Sequence, residues 1–156
     1  SSVRELKESI QQCKCEELTK IFQKFTYVGP LGTSKILLQY DVNLYLIDCF
    51  HLFSNLFYQI IINNFGSFNY WKLSLPYNFT SIFSENHQEQ LDEFLFKQPM
   101  LMDYFSIQIS EEGQLTHLPQ LIKKFRLNPQ FIPSFVKKLA LETNWVEEKT
   151  CFQDVS

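Results

Sequence analysis

Apolar residues recur every three or four positions in several stretches of the chain, the spacing typical of amphipathic helices. These stretches are residues 3–13, 18–25, 53–61, 91–105 and 132–140. Ser2 and Glu5 fit a capping box at the start of the first stretch, in which a hydroxyl and a carboxylate each accept a hydrogen bond from a free backbone N–H. Pro99 interrupts the fourth stretch, whereas Pro133 lies in the first turn of the fifth, where proline is tolerated. We therefore predict separate helices, with a last one beginning near Asn144.

Runs rich in β-branched and aromatic residues lie between these helical stretches and predict strands. They cover residues 26–28, 36–40, 43–47, 68–75, 106–109 and 114–118. Asp41 and Val42 join two of the runs into a hairpin, and Gly113 marks the turn of a second hairpin. Hairpins without β-α-β spacing favour an α+β fold, with mainly antiparallel sheets and helices arranged in two lobes.

The composition of the 156-residue chain excludes some classes of function. Hydrophobic residues make up 45% of the chain and aromatic residues 16%, which is enough to build a core. The four glycines form no phosphate-binding loop, and this excludes a nucleotide enzyme built on one. The net charge is −3 and only Arg4 and Arg126 are arginines, so we expect no strong direct binding to DNA.

One long uncharged segment, residues 49–71, raises the question of a membrane span. Polar residues interrupt the segment repeatedly, and each of them would be costly in hydrocarbon. The apolar positions from Phe53 to Ile61 have helical spacing, and apolar residues also occur on a second side. We therefore predict a buried helix with no membrane role.

The cysteines suggest no metal centre by their spacing. Cys13, Cys15, Cys49 and Cys151 contain no C-x-x-C pair, so we expect reduced and mostly buried thiols. Cys13 and Cys15 as half of a metal site are the alternative.

Two acidic features leave alternatives open. Asp48 and His51 are three residues apart at a strand-to-helix junction, where they fit either part of a divalent-metal site or a helix cap with a packed histidine. The acidic end near Trp145 is either a solvated face or a ligand site, and it comprises Glu142, Glu147, Glu148 and Asp154.

A series of short runs gives the strongest indication of function. The most specific are Leu-Phe-Tyr-Gln-Ile at residues 56–60 and Glu-Thr-Asn-Trp-x-Glu-Glu at residues 142–148. Others lie at residues 2–6, 27–29, 44–48, 64–66, 103–107, 112–113 and 118–119. Together, and in this order over the whole chain, they resemble the C-terminal region of the MutL family of DNA mismatch-repair proteins. The resemblance implies a MutL C-terminal-like fold, with residues 1–75 as part of a dimerisation lobe and residues 76–156 as an external lobe.

The resemblance also bears on catalysis. Some MutL paralogues carry a metal-dependent endonuclease with the pattern Asp-Gln-His-Ala-x-x-Glu-x-x-x-x-Glu at the same junction. Asp48 matches the pattern, but its histidine falls on Phe50 and its glutamates fall on Ser54 and Gln59. This departure implies a non-enzymatic member with no cofactor. A metal-dependent endonuclease domain and an unrelated α+β structural domain remain the alternatives.

For partners, the resemblance implies heterodimerisation with a PMS-type MutL homologue and DNA mismatch repair in the nucleus. We expect the dimer interface, or its support, to include Phe53, Leu56, Phe57 and Ile60. In this family the external lobe also docks exonuclease-type repair factors through a short peptide in which a basic residue precedes two aromatic residues. Glu142 matches the acidic residue of that docking site. We expect the aromatic pocket to be lined by Tyr104, Phe105, Leu118, Ile132 and Phe135.

The end of the chain departs from the family pattern. The full C-terminal region of the family continues beyond the position that matches Ser156, and the segment at residues 76–98 is shorter than usual. We therefore expect either a fragment, truncated before the family's final segment, or an abbreviated member.

Overall fold

The computed structural model describes residues 2–81, 83, 87–125 and 127–156. Seven α-helices lie in these ranges: α1 Val3–Gln12, α2 Glu16–Lys24, α3 Cys49–Asn63, α4 Gln88–Phe96, α5 Gln98–Phe105, α6 Ile132–Leu141 and α7 Glu148–Val155. Six strands accompany them: β1 Thr26–Leu31, β2 Lys35–Tyr40, β3 Asn43–Asp48, β4 Tyr70–Asn78, β5 Gln108–Ile109 and β6 Gln114–Pro119. All strand pairs are antiparallel, which confirms the predicted α+β class.

Local sequence signals account for several element boundaries. The capping box of α1 is formed, because Ser2 Oγ accepts from the backbone N–H of Glu5 and the Glu5 carboxylate accepts from the backbone N–H of Ser2. The break at Lys14 separates α1 from α2 as predicted. The helical stretch around Pro99 divides into α4 and α5, with the proline in the first turn of α5.

The first sheet is a meander in the order β1-β2-β3. Leu37 pairs with Leu46, and the next residues along the strands, Leu38 and Tyr45, also pair. Because side chains alternate along a strand, these two pairs lie on opposite faces of the sheet. Leu38 is 1% exposed and Leu46 is 52% exposed, so one face is covered and the other is open.

The second sheet has the order β4-β6-β5. The sequence predicts that Pro76 ends β4, and this is wrong, since the strand continues to Asn78. The pairing of β4 with β6 changes register between Lys72 and Tyr77, so Pro76 lies where its missing N–H removes no ladder hydrogen bond.

The main core lies around the second sheet. It combines Leu6 of α1 and the last turns of α3, at Ile61 and Ile62, with buried residues from every later helix. Within residues 16–48, the only fully buried hydrophobic side chains are Ile21 and Leu38, and both lie outside that core cluster. The first sheet is therefore attached to the rest of the chain with little burial of its own. The lobe boundary near residue 75 stays a prediction, since the core draws side chains from both sides of it.

The first part of α3 differs from its predicted environment. The sequence predicts a buried helix, but the only buried residues of α3 are Ile61 and Ile62. Phe50 is 73% exposed, and Phe53 and Leu56 are exposed as well. The prediction is wrong for the chain alone because no element that the structure describes covers this side of the helix.

Candidate partner-binding surfaces

The junction of β3 and α3 holds a helix cap. Asp48 is the N-cap residue of α3, and its Oδ1 accepts a hydrogen bond from the backbone N–H of His51 at 3.2 Å. Within the described residues, no group of three or more His, Cys, Asp or Glu side chains is gathered where it could hold a metal ion. The helix-cap reading of Asp48 is therefore the one that the geometry supports.

The thiols are less buried than the sequence suggests. Cys13 and Cys15 are exposed, Cys49 is half-buried, and Cys151 is buried. The expectation of mostly buried cysteines is wrong because Cys13 and Cys15 lie at the exposed break between α1 and α2. All four are free thiols.

Apolar residues lie on the open face of the first sheet, on which the strand register also places Lys35 and Gln39. Leu44 and Leu46 on β3 alternate with Tyr45 and Ile47, and they lie on the open face at 60% and 52% exposure. Leu31 pairs with Lys35 on this same face and is also exposed. We call this surface the apolar sheet face and define it by Leu31, Leu37, Leu44 and Leu46. The sequence indicates this surface through β3, which is apolar at consecutive positions. Such a pattern is expected of a strand that is covered on both faces.

Helix α3 also exposes apolar side chains. Of the residues predicted for the dimer surface, Phe53 and Leu56 are exposed, whereas Phe57 and Ile60 are half-buried. The rings of Phe53 and Phe57 are 6.4 Å apart between centroids, so they form a short aromatic ridge one helical turn long.

A cleft of about 720 Å³ lies between α3 and the C-terminal helices. We call it the Glu142 cleft. One wall consists of Thr33 and Ser34 in the β1–β2 turn together with the start of α3, including Phe50, Phe53 and Phe57. The opposite wall comes from α6, α7 and the segment between them, and includes Phe135, Lys138, Glu142 and Asp154.

The charges in this cleft are mainly negative. Glu142 follows α6 as its C-cap residue, and its backbone N–H donates to the backbone oxygen of Lys138 at 2.8 Å. Its side chain is exposed and forms no hydrogen bond or ion pair with any residue that the structure describes. Asp154 Oδ2 accepts from the backbone N–H of Asn144 at 2.8 Å. Lys138 is the only basic side chain among the lining residues. The lining side chains therefore offer two carboxylates against one ammonium group, and the Glu142 carboxylate has no partner among the described residues.

A smaller apolar pocket of about 230 Å³ adjoins the cleft. Its aromatic lining consists of Phe57, Trp71, Phe125 and Phe135. Phe57 and Phe135 also line the Glu142 cleft, so the acidic cleft and the apolar pocket share a border. The lining of the pocket also includes Leu118.

The residues predicted for peptide docking divide into two groups. Glu142, Phe135 and Leu118 line the connected cleft and pocket. Phe105 and Ile132 are each 2% exposed and belong to the main core, whereas the ring of Tyr104 lies 4.9 Å from that of Phe65. These last three residues line neither the cleft nor the pocket. Asp154, which the sequence groups with Glu142 in one acidic end, also lines the cleft, whereas nothing near Phe57 in sequence predicts its place beside Glu142.

Trp145 lies in one of the two most specific sequence runs, and its side chain packs against the main core. Its ring packs against those of Phe94 and Phe105, at centroid distances of 6.3 and 6.5 Å. Asn144 holds the following turn, because its Oδ1 accepts from the backbone N–H groups of Val146 and Glu147. The run therefore anchors the segment between α6 and α7, and with it the position of Glu142.

Among the residues that the structure describes, no helix combines the length and apolar character needed to cross a membrane.

Comparison with known proteins gives a consistent result over the whole chain. Residues 1–156 match the family model described as "DNA mismatch repair protein Mlh1 C-terminus". The chain is 28% identical over 173 residues to the DNA mismatch repair protein Mlh1 of Dictyostelium discoideum, covering 99% of this chain and 20% of the relative. It is 28% identical over 180 residues to MLH1 of Saccharomyces cerevisiae, covering 99% of this chain and 23% of the relative.

A third relative is the putative MutL protein homolog 1 of Schizosaccharomyces pombe, at 26% identity over 165 residues. That match covers 99% of this chain and 24% of the relative. The chain thus spans about a fifth to a quarter of the length of the curated relatives that it matches.

Proposed function

Because the chain belongs to the family of Mlh1 C-terminal regions, we propose that it is a non-catalytic dimerisation and partner-docking module of a MutL heterodimer that acts in DNA mismatch repair. The family match confirms the resemblance to MutL proteins read from the sequence. Its partner is a PMS-type MutL homologue, and its place of action is the nucleus. Residues 1–75 form part of the dimerisation lobe and residues 76–156 form the external lobe.

The apolar sheet face carries the dimerisation half of this proposal. Leu44 and Leu46 are more than half exposed, and Leu31, on the other edge strand of the sheet, is half exposed. Leu46 pairs with Leu37 across the strands and lies on the same face as Leu44, and such exposed apolar patches are typical of interaction sites. Burial of one such leucine contributes about 1.5–3 kcal/mol relative to full exposure. A subunit that covers these leucines would therefore gain substantial binding free energy.

The substituted nuclease positions support the non-catalytic half. Phe50 stands where the endonuclease pattern has histidine, and Ser54 and Gln59 replace its glutamates. Divalent metals that catalyse phosphodiester hydrolysis need several carboxylate or imidazole ligands close together. The Asp48 carboxylate accepts the capping hydrogen bond of α3.

The Glu142 cleft carries the docking half. An unpaired carboxylate beside an apolar pocket is suited to a peptide that presents a basic residue next to aromatic residues, because the charge pair gives orientation and the pocket gives affinity. Glu142 supplies the carboxylate, while Phe135 and Leu118 line the apolar side. The docked factors are exonuclease-type repair proteins that carry such a motif. The net charge of −3 argues against strong direct DNA binding by this region.

Co-purification with the C-terminal domain of a PMS-type homologue tests the main claim. The two domains are co-expressed, only the partner is tagged, and the mass of the eluted species is measured by light scattering. We expect a 1:1 complex. A chain that stays monomeric in the presence of the partner domain at micromolar concentration contradicts the proposal.

A further inference from the structure

The two walls of the Glu142 cleft are anchored differently. The C-terminal wall belongs to the main core, because α6 buries Ile132, Val136 and Leu139 there and α7 buries Cys151 and Phe152. The opposite wall is formed by the β1–β2 turn and the start of α3. In residues 16–48, Ile21 and Leu38 alone are buried hydrophobic side chains, and α3 reaches the main core at Ile61 and Ile62, beyond the part that lines the cleft.

The wall formed by the β1–β2 turn and the start of α3, which we call the weakly anchored wall, is connected to the sheet that has the apolar sheet face. Ser34, in the turn that lines the cleft, accepts a hydrogen bond through its backbone oxygen from the backbone N–H of Cys49, at 2.8 Å. This bond ties the β1–β2 turn to the first residue of α3. A partner that rests on Leu44 and Leu46 of β3 therefore holds the same unit that positions Phe50 and Phe53 in the cleft.

We propose that peptide docking in the Glu142 cleft is coupled to dimerisation, because the partner subunit fixes the wall formed by the β1–β2 turn and α3. This inference rests on the proposed function and deepens it. The occupant of the cleft is a segment whose basic residue lies near Glu142 and Asp154 and faces the exposed ring of Phe53. A cation between carboxylates and an aromatic ring gains from the charge pair and from the electrostatic attraction to the ring face.

The coupling has a definite direction. In the chain alone, part of the binding free energy of the peptide is spent on ordering the weakly anchored wall. In the dimer that wall is already fixed, so the peptide binds more tightly. Thermodynamic linkage requires the converse, namely that the peptide tightens the dimer by the same factor. We expect a factor of about five or more, at the lower end of the range typical for coupled sites.

The test measures both sides of this linkage. A fluorescent peptide with a basic residue followed by two aromatic residues is titrated with the chain alone and with the heterodimer. In the second arm, the dissociation constant of the heterodimer is measured with and without saturating unlabelled peptide. A peptide with glutamate in place of its basic residue serves as the control ligand in both arms.

Tighter peptide binding by the heterodimer, matched by an equal gain in dimer affinity, supports the inference. Equal affinities in both arms overturn the coupling and leave the proposed function intact. Weaker peptide binding by the heterodimer also overturns it, and shows that the partner enters the cleft. Failure of the peptide to bind either species contradicts the docking half of the proposed function, and the inference falls with it.

Discussion

Phe57 of α3 and Phe135 of α6 stand on the shared border of the Glu142 cleft and the apolar pocket, and each lines both. The two residues come from distant parts of the sequence, one from the helix that continues the apolar sheet face and one from the helix that ends at Glu142. Their proximity makes one continuous surface of two features, an acidic cleft and an aromatic pocket. A short peptide with adjacent basic and aromatic residues could contact both features at once.

The carboxylate of Glu142 can be tested for docking by a single substitution. In Glu142→Ala, we expect thermal unfolding and the heterodimer to be unchanged, since the side chain is exposed and has no partner among the described residues. Loss of a charged hydrogen-bonding partner should weaken a basic-aromatic peptide by about 1.5–3 kcal/mol, which is about ten- to a hundredfold in affinity. Fluorescence anisotropy gives the affinities. Glu111→Ala, at an exposed turn away from the cleft, is the matched control. Equal affinity of wild type and Glu142→Ala would move the docking site elsewhere.

The proposed dimer surface can be tested by a single substitution at Leu46. We expect Leu46→Glu to abolish co-purification with the partner domain, because a carboxylate buried without a partner in an interface costs several kcal/mol. The chain itself should still fold, since Leu46 is half exposed and outside the core cluster. Leu75→Glu is the matched control, with an exposed leucine on β4 instead of β3. Retention of the heterodimer by Leu46→Glu would place the interface on another surface.

Local signals in the sequence were sufficient for most of the fold. Helical spacing and a capping box predict α1, and the helical spacing of a long apolar stretch predicts α3. Such features depend on interactions within a few residues, which a sequence displays directly. The failure at Pro76 arose because the change of register that tolerates this proline depends on the neighbouring strand β6.

The candidate site was less accessible to sequence reasoning. Periodicity identifies the apolar positions of α3, but it cannot tell which of them face a core and which remain open. The sequence therefore predicts Phe57 for the dimer surface alone, although Phe57 also lines the cleft with Glu142. The same limit applies to Phe105 and Ile132, which the sequence predicts for an aromatic pocket although both belong to the core cluster. Whether such a residue is buried or exposed depends on packing between distant parts of the chain, which a local sequence pattern does not contain.

The nuclease positions lead to a prediction about activity. We expect supercoiled plasmid to remain closed when it is incubated with the chain and Mn²⁺, since Phe50, Ser54 and Gln59 supply too few ligands for a catalytic metal pair. Asp48→Ala should instead lower the free energy of unfolding by about 0.5–2 kcal/mol, the usual effect of losing an N-cap side chain. Gel electrophoresis and urea denaturation give the two readouts. Nicking by the wild type that disappears in Asp48→Ala would show that the site holds a catalytic metal.

The buried thiol of Cys151 predicts how stability depends on pH. Burial, with Asp154 and Glu148 nearby, raises the pKa of this thiol from 9.0 to about 11. The folded state therefore favours the protonated thiol, and its contribution to stability is fully present below pH 9 and is lost as the pH rises through about 11. Cys151→Ala lacks this ionisation and serves as the matched variant, which also removes the effect of other groups that titrate in this range, such as Tyr58 with its raised pKa. Urea denaturation of both proteins at pH 8, 9, 10 and 11 should show a steeper loss of stability for the wild type. Parallel curves for the two proteins would mean that the thiol ionises equally in the folded and unfolded states.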